Sequence, residues 1–408
     1  MTFSGENIRA DFSALAHGYA FFDAPGGTQV PDVVAERMAA AAIAPTSYRN
    51  PLSPTGRNAE RAIVEFRAAA ADLLGADPAG IVHGRSSTQL AMEFARTLSK
   101  RWQPGDNIVL TTLEHNSNVQ PWVLAAERVG VEVRYAKFDH ATGELPVGEF
   151  ERLVDERTRQ VAVTGASNFV GTQPDVAAIA AVTHAVGALL YVDGVHNTAH
   201  SAVDVKLLGA DFYTYSPYKL FGPHCGVLAA DPALLEELEP DKLAPSPNVV
   251  PEKFELGTLP YEILAGVTAS VDYIASLAPA AAAGGTRRER IVAAMHAIDE
   301  YELDLRTRLE EGLAKVPGLT LWSRAQQRTS TLLFTIDGLN PIEVERKLTE
   351  QNLLVQAGNF YAIDACHQMG LGEPGGIRAG LAPYNTVEEV DALVVGLNEL
   401  AAAVGVVA

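Results

Sequence analysis

Polar residues of reactive type stand at the ends of several β-rich apolar runs in this chain. Glu114-His115-Asn116 follows the run at 108–113, and Ser167-Asn168 follows 161–165. Asp193 closes 189–193, and Ser216-Pro217-Tyr218-Lys219 follows 212–215. An imidazole or a carboxylate can move protons, an amine can add to a carbonyl, and an amide can hold an anionic or phenolic oxygen. Open α/β sheets bind ligands beyond the carboxyl ends of their strands, so these side chains would converge on one ligand. Gly84-Arg85-Ser86-Ser87 opens a helical pattern and offers N–H groups, hydroxyls and a helix dipole to a phosphate. Taken alone, that serine pair reads more readily as an ordinary N-cap, since serine is common at helix starts.

Other motifs are weaker. Gly370, Gly372 and Gly375 match G-x-G-x-x-G, but no strand pattern precedes them and Pro374 stands where a phosphate-binding helix should open. Ser216 and Lys219 match S-x-x-K, yet no S-D-N or K-T-G follows, which argues against a serine acylase. Neither H-E-x-x-H nor C-x-x-C occurs, and no metal site is expected. Cys225 and Cys366 fit neither a disulfide framework nor a zinc knuckle, which points to a reducing, cytoplasmic setting. The net charge of −19 repels phosphate backbones and anionic lipid, so neither nucleic acid nor membrane is an expected partner. The first residues lack the basic and apolar segments of a leader, and Gly, Asp or His interrupts the longest apolar stretches short of bilayer length.

The elements that must position the polar residues follow from hydrophobic periodicity. Helical patterns at 57–74, 86–102 and 176–184 alternate with strand patterns at 108–113, 131–138, 161–165, 189–193, 212–215 and 226–230. Such alternation predicts a mainly parallel sheet covered on both faces. After Leu259 the character changes to two long helices, 260–282 and 287–316. A smaller α+β layer follows, with strands at 319–322, 331–336, 353–356 and 377–381 and helices at 341–351 and 387–404. A length of 408 residues suits two or three domains. The expected division is a large domain at 16–260, a linking helix at 261–284, and a small domain built from 1–15 and 285–408.

An aspartate, an asparagine, a histidine and a lysine on successive strand ends, beside a serine-rich helix start, are the parts that bind pyridoxal phosphate. The order and spacing resemble the class V aminotransferases of fold type I, and within them the cysteine desulfurase-like proteins. The stretches FFDAPGGTQVP, HGRSSTQLA, TTLEHNSNVQPW, SNFVGT, YVDGVH, YSPYKLFGP, FELGT and RAGLAPYNTVEEVD carry the resemblance over nearly the whole chain. It implies that Lys219 bonds to the cofactor, that Asp193 pairs with the pyridine nitrogen, and that His115 lies over the ring and moves protons at the substrate's α-carbon. Asn168 would hold the ring's phenolic oxygen or the substrate carboxylate. Ser86, Ser87 and Ser216 would hold the phosphate, with His196 and Tyr218 also in the cofactor site. Thr258 resembles a residue that this family supplies from a second subunit, which implies a homodimer with shared active sites. Arg378 would take the substrate's α-carboxylate as a bidentate fork.

Departures from the family bear on the reaction. Desulfurases carry a nucleophilic cysteine three residues after a glycine; here Gly358 is followed by Asn359-Phe360-Tyr361, so Tyr361 holds that place and faces the substrate. Cys366 lies five residues further on, and the charge of neighbouring Asp364 should discourage its thiolate. Cys225 reads as a buried small hydrophobe. The family's glutamine after the aspartate is His196, its histidine before the lysine is Tyr218, and its arginine before the glycine of the cysteine loop is Gln356. The resulting expectation is a pyridoxal-phosphate enzyme acting on an amino acid by C–S cleavage or elimination without an enzyme persulfide. An aminotransferase, an isopenicillin N epimerase-like epimerase, and a desulfurase using Cys366 are the alternatives.

Overall fold

The computed structural model describes residues 3–403. Residues 1, 2 and 404–408 of the expected small domain, including the end of the helix expected to reach 404, lie outside the described residues. In chain order the strands are β1 (Ala20–Phe21), β2 (Ile81–Gly84), β3 (Asn107–Thr111), β4 (Glu132–Ala136), β5 (Thr158–Thr164), β6 (Leu189–Asp193) and β7 (Phe212–Tyr215). They continue with β8 (Gly226–Ala230), β9 (Leu319–Leu321), β10 (Thr331–Ile336), β11 (Leu353–Leu354), β12 (Gln356–Gly358) and β13 (Gly376–Gly380).

Seven of them form the central sheet in the order β2-β8-β7-β6-β5-β3-β4. β3 to β7 are mutually parallel, and β8 runs antiparallel to both of its neighbours. Ile108, Val109 and Leu110 are all fully buried, as continuous apolar strands must be when helices cover both faces. The helix Ser87–Ser99 shows why the layers form. The Ser86 side chain accepts from the Gln89 N–H, and Leu90, Phe94 and Leu98 repeat every four residues to bury one stripe against the sheet.

A second sheet, β12-β13-β10-β9, is antiparallel throughout. The 27-residue helix Arg287–Leu313, closed at its start by a Thr286/Glu289 capping box, joins the two cores. Its first half places Ile291, Met295 and Ile298 in the larger core, and its second half places Leu305, Leu309 and Leu313 in the smaller one. Glu302 lies fully buried between these halves and meets His200 Nδ1 at 2.7 Å. Near the amino terminus, β1 pairs with β11 beside the smaller sheet, and Phe22 accepts a hydrogen bond from the Gly380 N–H. Residues 20–22 thus run beside the smaller sheet before the chain enters the larger one.

Strand positions match expectation closely at β6, β7, β8 and β10. The strand expected at 353–356 is instead divided at Val355 into β11 and β12, and the helix expected at 260–282 ends at Ser276. β2 and the helices Asp32–Ile43, Gln120–Val129, Val147–Leu153 and Ile363–Gln368 were not expected. That last helix and β13 flank Gly370 to Gly375, which form a turn and open no phosphate-binding helix. Among the described residues no helix is long and apolar enough to cross a membrane.

Candidate active site

A cavity of about 320 Å³ opens at the carboxyl ends of β3, β5, β6 and β7. Ser86, Ser87, His115, Asn168, Asp193, His196, Ser216, Tyr218, Lys219, Tyr361 and Arg378 all border it. Residues more than 290 positions apart are brought together because parallel strands deliver their ends to one edge. Thr258 does not border the cavity and is exposed. Among the described residues no group of His, Cys, Asp and Glu is arranged to hold a metal ion.

Lys219 leaves the sheet on a single 3₁₀ turn, Pro217–Lys219, directly after β7. Its amine is buried and donates to the carbonyl of Pro25. Desolvation, aided by the Arg378 charge, holds its pKa down at about 7, so a large neutral fraction is present near neutrality. Asp193 ends β6, and one carboxylate oxygen accepts from the Val195 N–H at 3.0 Å. Burial raises its pKa, and the Val195 N–H and the Lys219 charge work against that rise. A cation placed beside Asp193 would keep it ionised. Gly194 is required next to it, since a Cβ there would lie 2.0 Å from the Tyr213 ring.

His115 follows β3. Burial holds its pKa at about 4, so the ring is neutral at pH 7. The Ser117 N–H donates to Nδ1 at 3.1 Å, which assigns the ring's proton to Nε2. Beneath it, the fully buried Glu114 accepts from Thr111, Asn118 and the Thr164 N–H at 2.6, 2.7 and 2.8 Å, tying β3 to β5. Burial pushes its carboxyl up to about 8. This carboxyl fixes the spacing of the strand ends that carry His115 and Asn168.

At one end of the cavity Ser87 Oγ meets Ser216 Oγ at 2.9 Å and donates to the Tyr215 carbonyl at 3.0 Å. Ser216 is thus engaged with a serine and not with Lys219, unlike an acylating S-x-x-K pair. Gly226 lets β8 approach this helix start, because a Cβ there would lie 2.3 Å from Ser86. At the other end Arg378, buried on β13, donates to the Asn168 carbonyl at 2.8 Å and to the Gln356 side chain. His196 lies between, with Nε2 within 3.1 and 2.9 Å of the Thr329 and Thr331 hydroxyls. Sequence reasoning missed Thr88, Ser117 and Phe360 as cavity residues and assigned no site role to Glu114. It expected of Gln356 only altered hydrogen bonds in the pocket, where Gln356 borders the cavity and accepts from Arg378. The TTLEHNSN and HGRSST stretches contained the signal for Thr88, Ser117 and Glu114; Phe360 had none.

Neither cysteine borders the cavity. Cys366 sits in the helix Ile363–Gln368, is 1% exposed, and its thiol lies 3.3 Å from the Gly372 carbonyl. Its pKa is raised by burial and then by Glu373; the charged neighbour that matters is therefore Glu373 and not Asp364, whose own carboxyl is raised by burial. Cys225 is buried, and its thiol is pushed up to about 12.

The residues present fit pyridoxal phosphate. Asn168 Oδ1, His196 Nδ1 and Arg378 Nε are buried beside the cavity with no hydrogen-bond partner, an arrangement that demands a polar occupant. A hydroxyl-rich helix start suits a phosphate, a buried carboxylate suits a protonated ring nitrogen, and a lysine with a near-neutral pKa suits an aldehyde. An aminotransferase-like protein of Gibberella zeae is 33% identical over 97% of this chain and 98% of its own length. A cysteine desulfurase of Pectobacterium atrosepticum is 31% identical over 98% of each chain. The crystal structure of the cysteine desulfurase CsdA from Escherichia coli superposes with a TM-score of 0.85 at 27% identity, covering 99% of this chain and all of that one. The sequence model of the family "Aminotransferase class-V" matches residues 20–393, and the chain belongs to that family as a cysteine desulfurase-like, pyridoxal-phosphate-dependent enzyme of fold type I.

Proposed function

We propose that this enzyme breaks the C–S bond of a cysteine-derived amino acid by elimination, without forming a persulfide on the protein. The observation that carries the reading is the position of the two cysteines. Both are buried and neither borders the cavity, whereas Tyr361, which the family resemblance sets at the place of the desulfurase nucleophile, does. The cofactor supplies an electron sink for the substrate's α-carbon. Lys219, neutral in a large fraction near pH 7, takes the α-proton, and Asp193 keeps the ring nitrogen protonated. His115 lies over the ring and assists proton movement at the α-carbon, Arg378 fixes the carboxylate, and Asn168 fixes either the phenolic oxygen or that carboxylate. Ser86, Ser87 and Ser216 seat the phosphate, with Tyr218 and His196 completing the cofactor's surroundings. A thioether R–S–CH₂–CH(NH₃⁺)–COO⁻ plus water then gives the thiol, pyruvate and ammonium.

The test is a screen of purified enzyme against cysteine, cystine, cysteine S-conjugates and plain amino acids, with sulfide, pyruvate, ammonia and racemisation assayed together. Pyruvate and ammonia in equal amounts from an S-conjugate support the reading. Alanine as product, with sulfur found on Cys366, would replace it with a desulfurase.

We also propose a homodimer with shared sites. Ile43, Tyr48, Leu52, Val249 and Leu256 are exposed large hydrophobics on two segments that the Arg49–Glu252 ion pair holds together, and Thr258 lies on the second. Large apolar side chains concentrated on two adjoining segments suit burial against a second copy. On this reading residues 16–260 form the cofactor domain, 261–284 the linking helix, and 1–15 with 285–408 the small domain. Sedimentation with and without cofactor tests it; a fully active monomer would remove the shared site.

A further inference from the structure

The turn after β12 holds two consecutive aromatic residues, Phe360 and Tyr361, at φ of 52° and 61°. Side chains with a Cβ rarely adopt this left-handed region, and bulky ones least of all. Four hydrogen bonds impose it. The Asn116 N–H donates to the Tyr361 carbonyl at 2.8 Å, and Asn168 Nδ2 to the Phe360 carbonyl at 3.0 Å. The Asn359 side chain and carbonyl accept from the N–H groups of Tyr361 and Ala362 at 3.1 and 2.8 Å. Gly375 packs so tightly behind the turn that a Cβ there would lie 2.0 Å from the Gly358 carbonyl.

The imposed geometry has two consequences. The Phe360 ring covers the Arg378 guanidinium, with 3.8 Å between the guanidinium carbon and the ring centre. The Tyr361 ring stands 5.3 Å from the His115 ring at 34°, borders the cavity, and is still 68% exposed. A large aromatic held at a cavity lip in an unfavourable backbone conformation marks a contact surface, since neither folding nor burial rewards it there.

We propose that the Phe360–Tyr361 turn is the subsite for the substrate's side chain, and that it selects amino acids ending in a flat apolar group, such as cysteine S-conjugates with an aryl or benzyl substituent, over small ones. This rests on the reading of the site as an amino-acid-binding pyridoxal-phosphate site with Arg378 as carboxylate anchor. With the carboxylate held under Phe360 and the reacting carbon near His115, the side chain leaves along the Tyr361 face. Aromatic contact there adds to the area buried.

The experiment titrates the yellow holoenzyme with phenylalanine and alanine, which carry no leaving group, and follows the initial change in cofactor absorbance. Wild type should bind phenylalanine about tenfold more tightly than alanine, and Tyr361→Ala should bring the two within about threefold with the alanine affinity little changed. Equal binding of the two by wild type, or an unchanged ratio in Tyr361→Ala, overturns the subsite and leaves the amino-acid site standing. No absorbance change with either amino acid removes both readings. Melting of the apo protein supplies a second readout. Tyr361→Gly should melt about as high as wild type, because glycine takes this φ freely; a clearly lower melting temperature would make the ring a structural element and overturn the proposal.

Discussion

Replacing Lys219 with Met should stabilise the protein without its cofactor. The methionine keeps the length of the stem and removes an amine whose pKa falls from the ordinary 10.5 to about 7 on burial. At 1.36 kcal/mol per unit, the folded state carries a cost on the order of 4–5 kcal/mol below pH 7. The attraction of Asp193 is already contained in that pKa, but Lys219→Met also leaves the Pro25 carbonyl without its donor, at about 1–3 kcal/mol, so the net gain is about 3 kcal/mol. For a chain of this length that is a rise in Tm of about 3–4 °C. The sign fixes the pH window. Because the folded pKa lies below the unfolded one, the unfolded chain binds more protons between pH 7 and 10.5, so wild-type stability rises with pH across that range. The advantage of Lys219→Met should therefore be full below pH 7 and shrink steadily as pH climbs toward 10. Thermal or urea unfolding of both apo proteins at a series of pH values reads this directly. Equal stabilities at pH 7, or a gap that does not narrow with rising pH, would refute the argument that burial depresses this amine.

Asp193→Ala should retain part of its cofactor yet lose turnover by about a hundredfold or more, read as cofactor content against kcat, because an unprotonated ring withdraws electrons poorly. Arg378→Ala should lower kcat/KM by about a hundredfold, since it strands the substrate carboxylate together with the Gln356 side chain and the Asn168 carbonyl that now accept from it. The double variant Cys225→Ala, Cys366→Ala should keep its activity within about twofold while losing about 1–3 kcal/mol of stability from two small core cavities; loss of turnover through Cys366→Ala alone would restore the persulfide reading.

Much of the site could be read from the amino acids because strand ends advertise themselves. Asp193 and Lys219 follow apolar runs whose limits, at β6 and β7, are set by burial on both faces. β2 escaped notice because its four residues include His83 and Gly84, and only its pairing with β8 makes it a strand. The helix Gln120–Val129 was hidden by Pro121, which at the first turn costs nothing. The helix Asp32–Ile43 buries little beyond Val34, so its pattern carries no clear stripe. The Phe360–Tyr361 turn was beyond reach for a different reason. Two of the four hydrogen bonds that impose it come from Asn116 and Asn168, more than 190 positions earlier, and the local pair from Asn359 does not by itself place two aromatics at positive φ.

Lys219 is proposed as the residue that bonds to the cofactor. Purified holoenzyme should be yellow, and treatment with borohydride followed by protease digestion and mass spectrometry should find the reduced cofactor on the peptide containing Lys219, with Lys219→Ala yielding no labelled lysine. Label on any other lysine, or a wild-type protein that stays colourless after pyridoxal phosphate is added, would contradict the account.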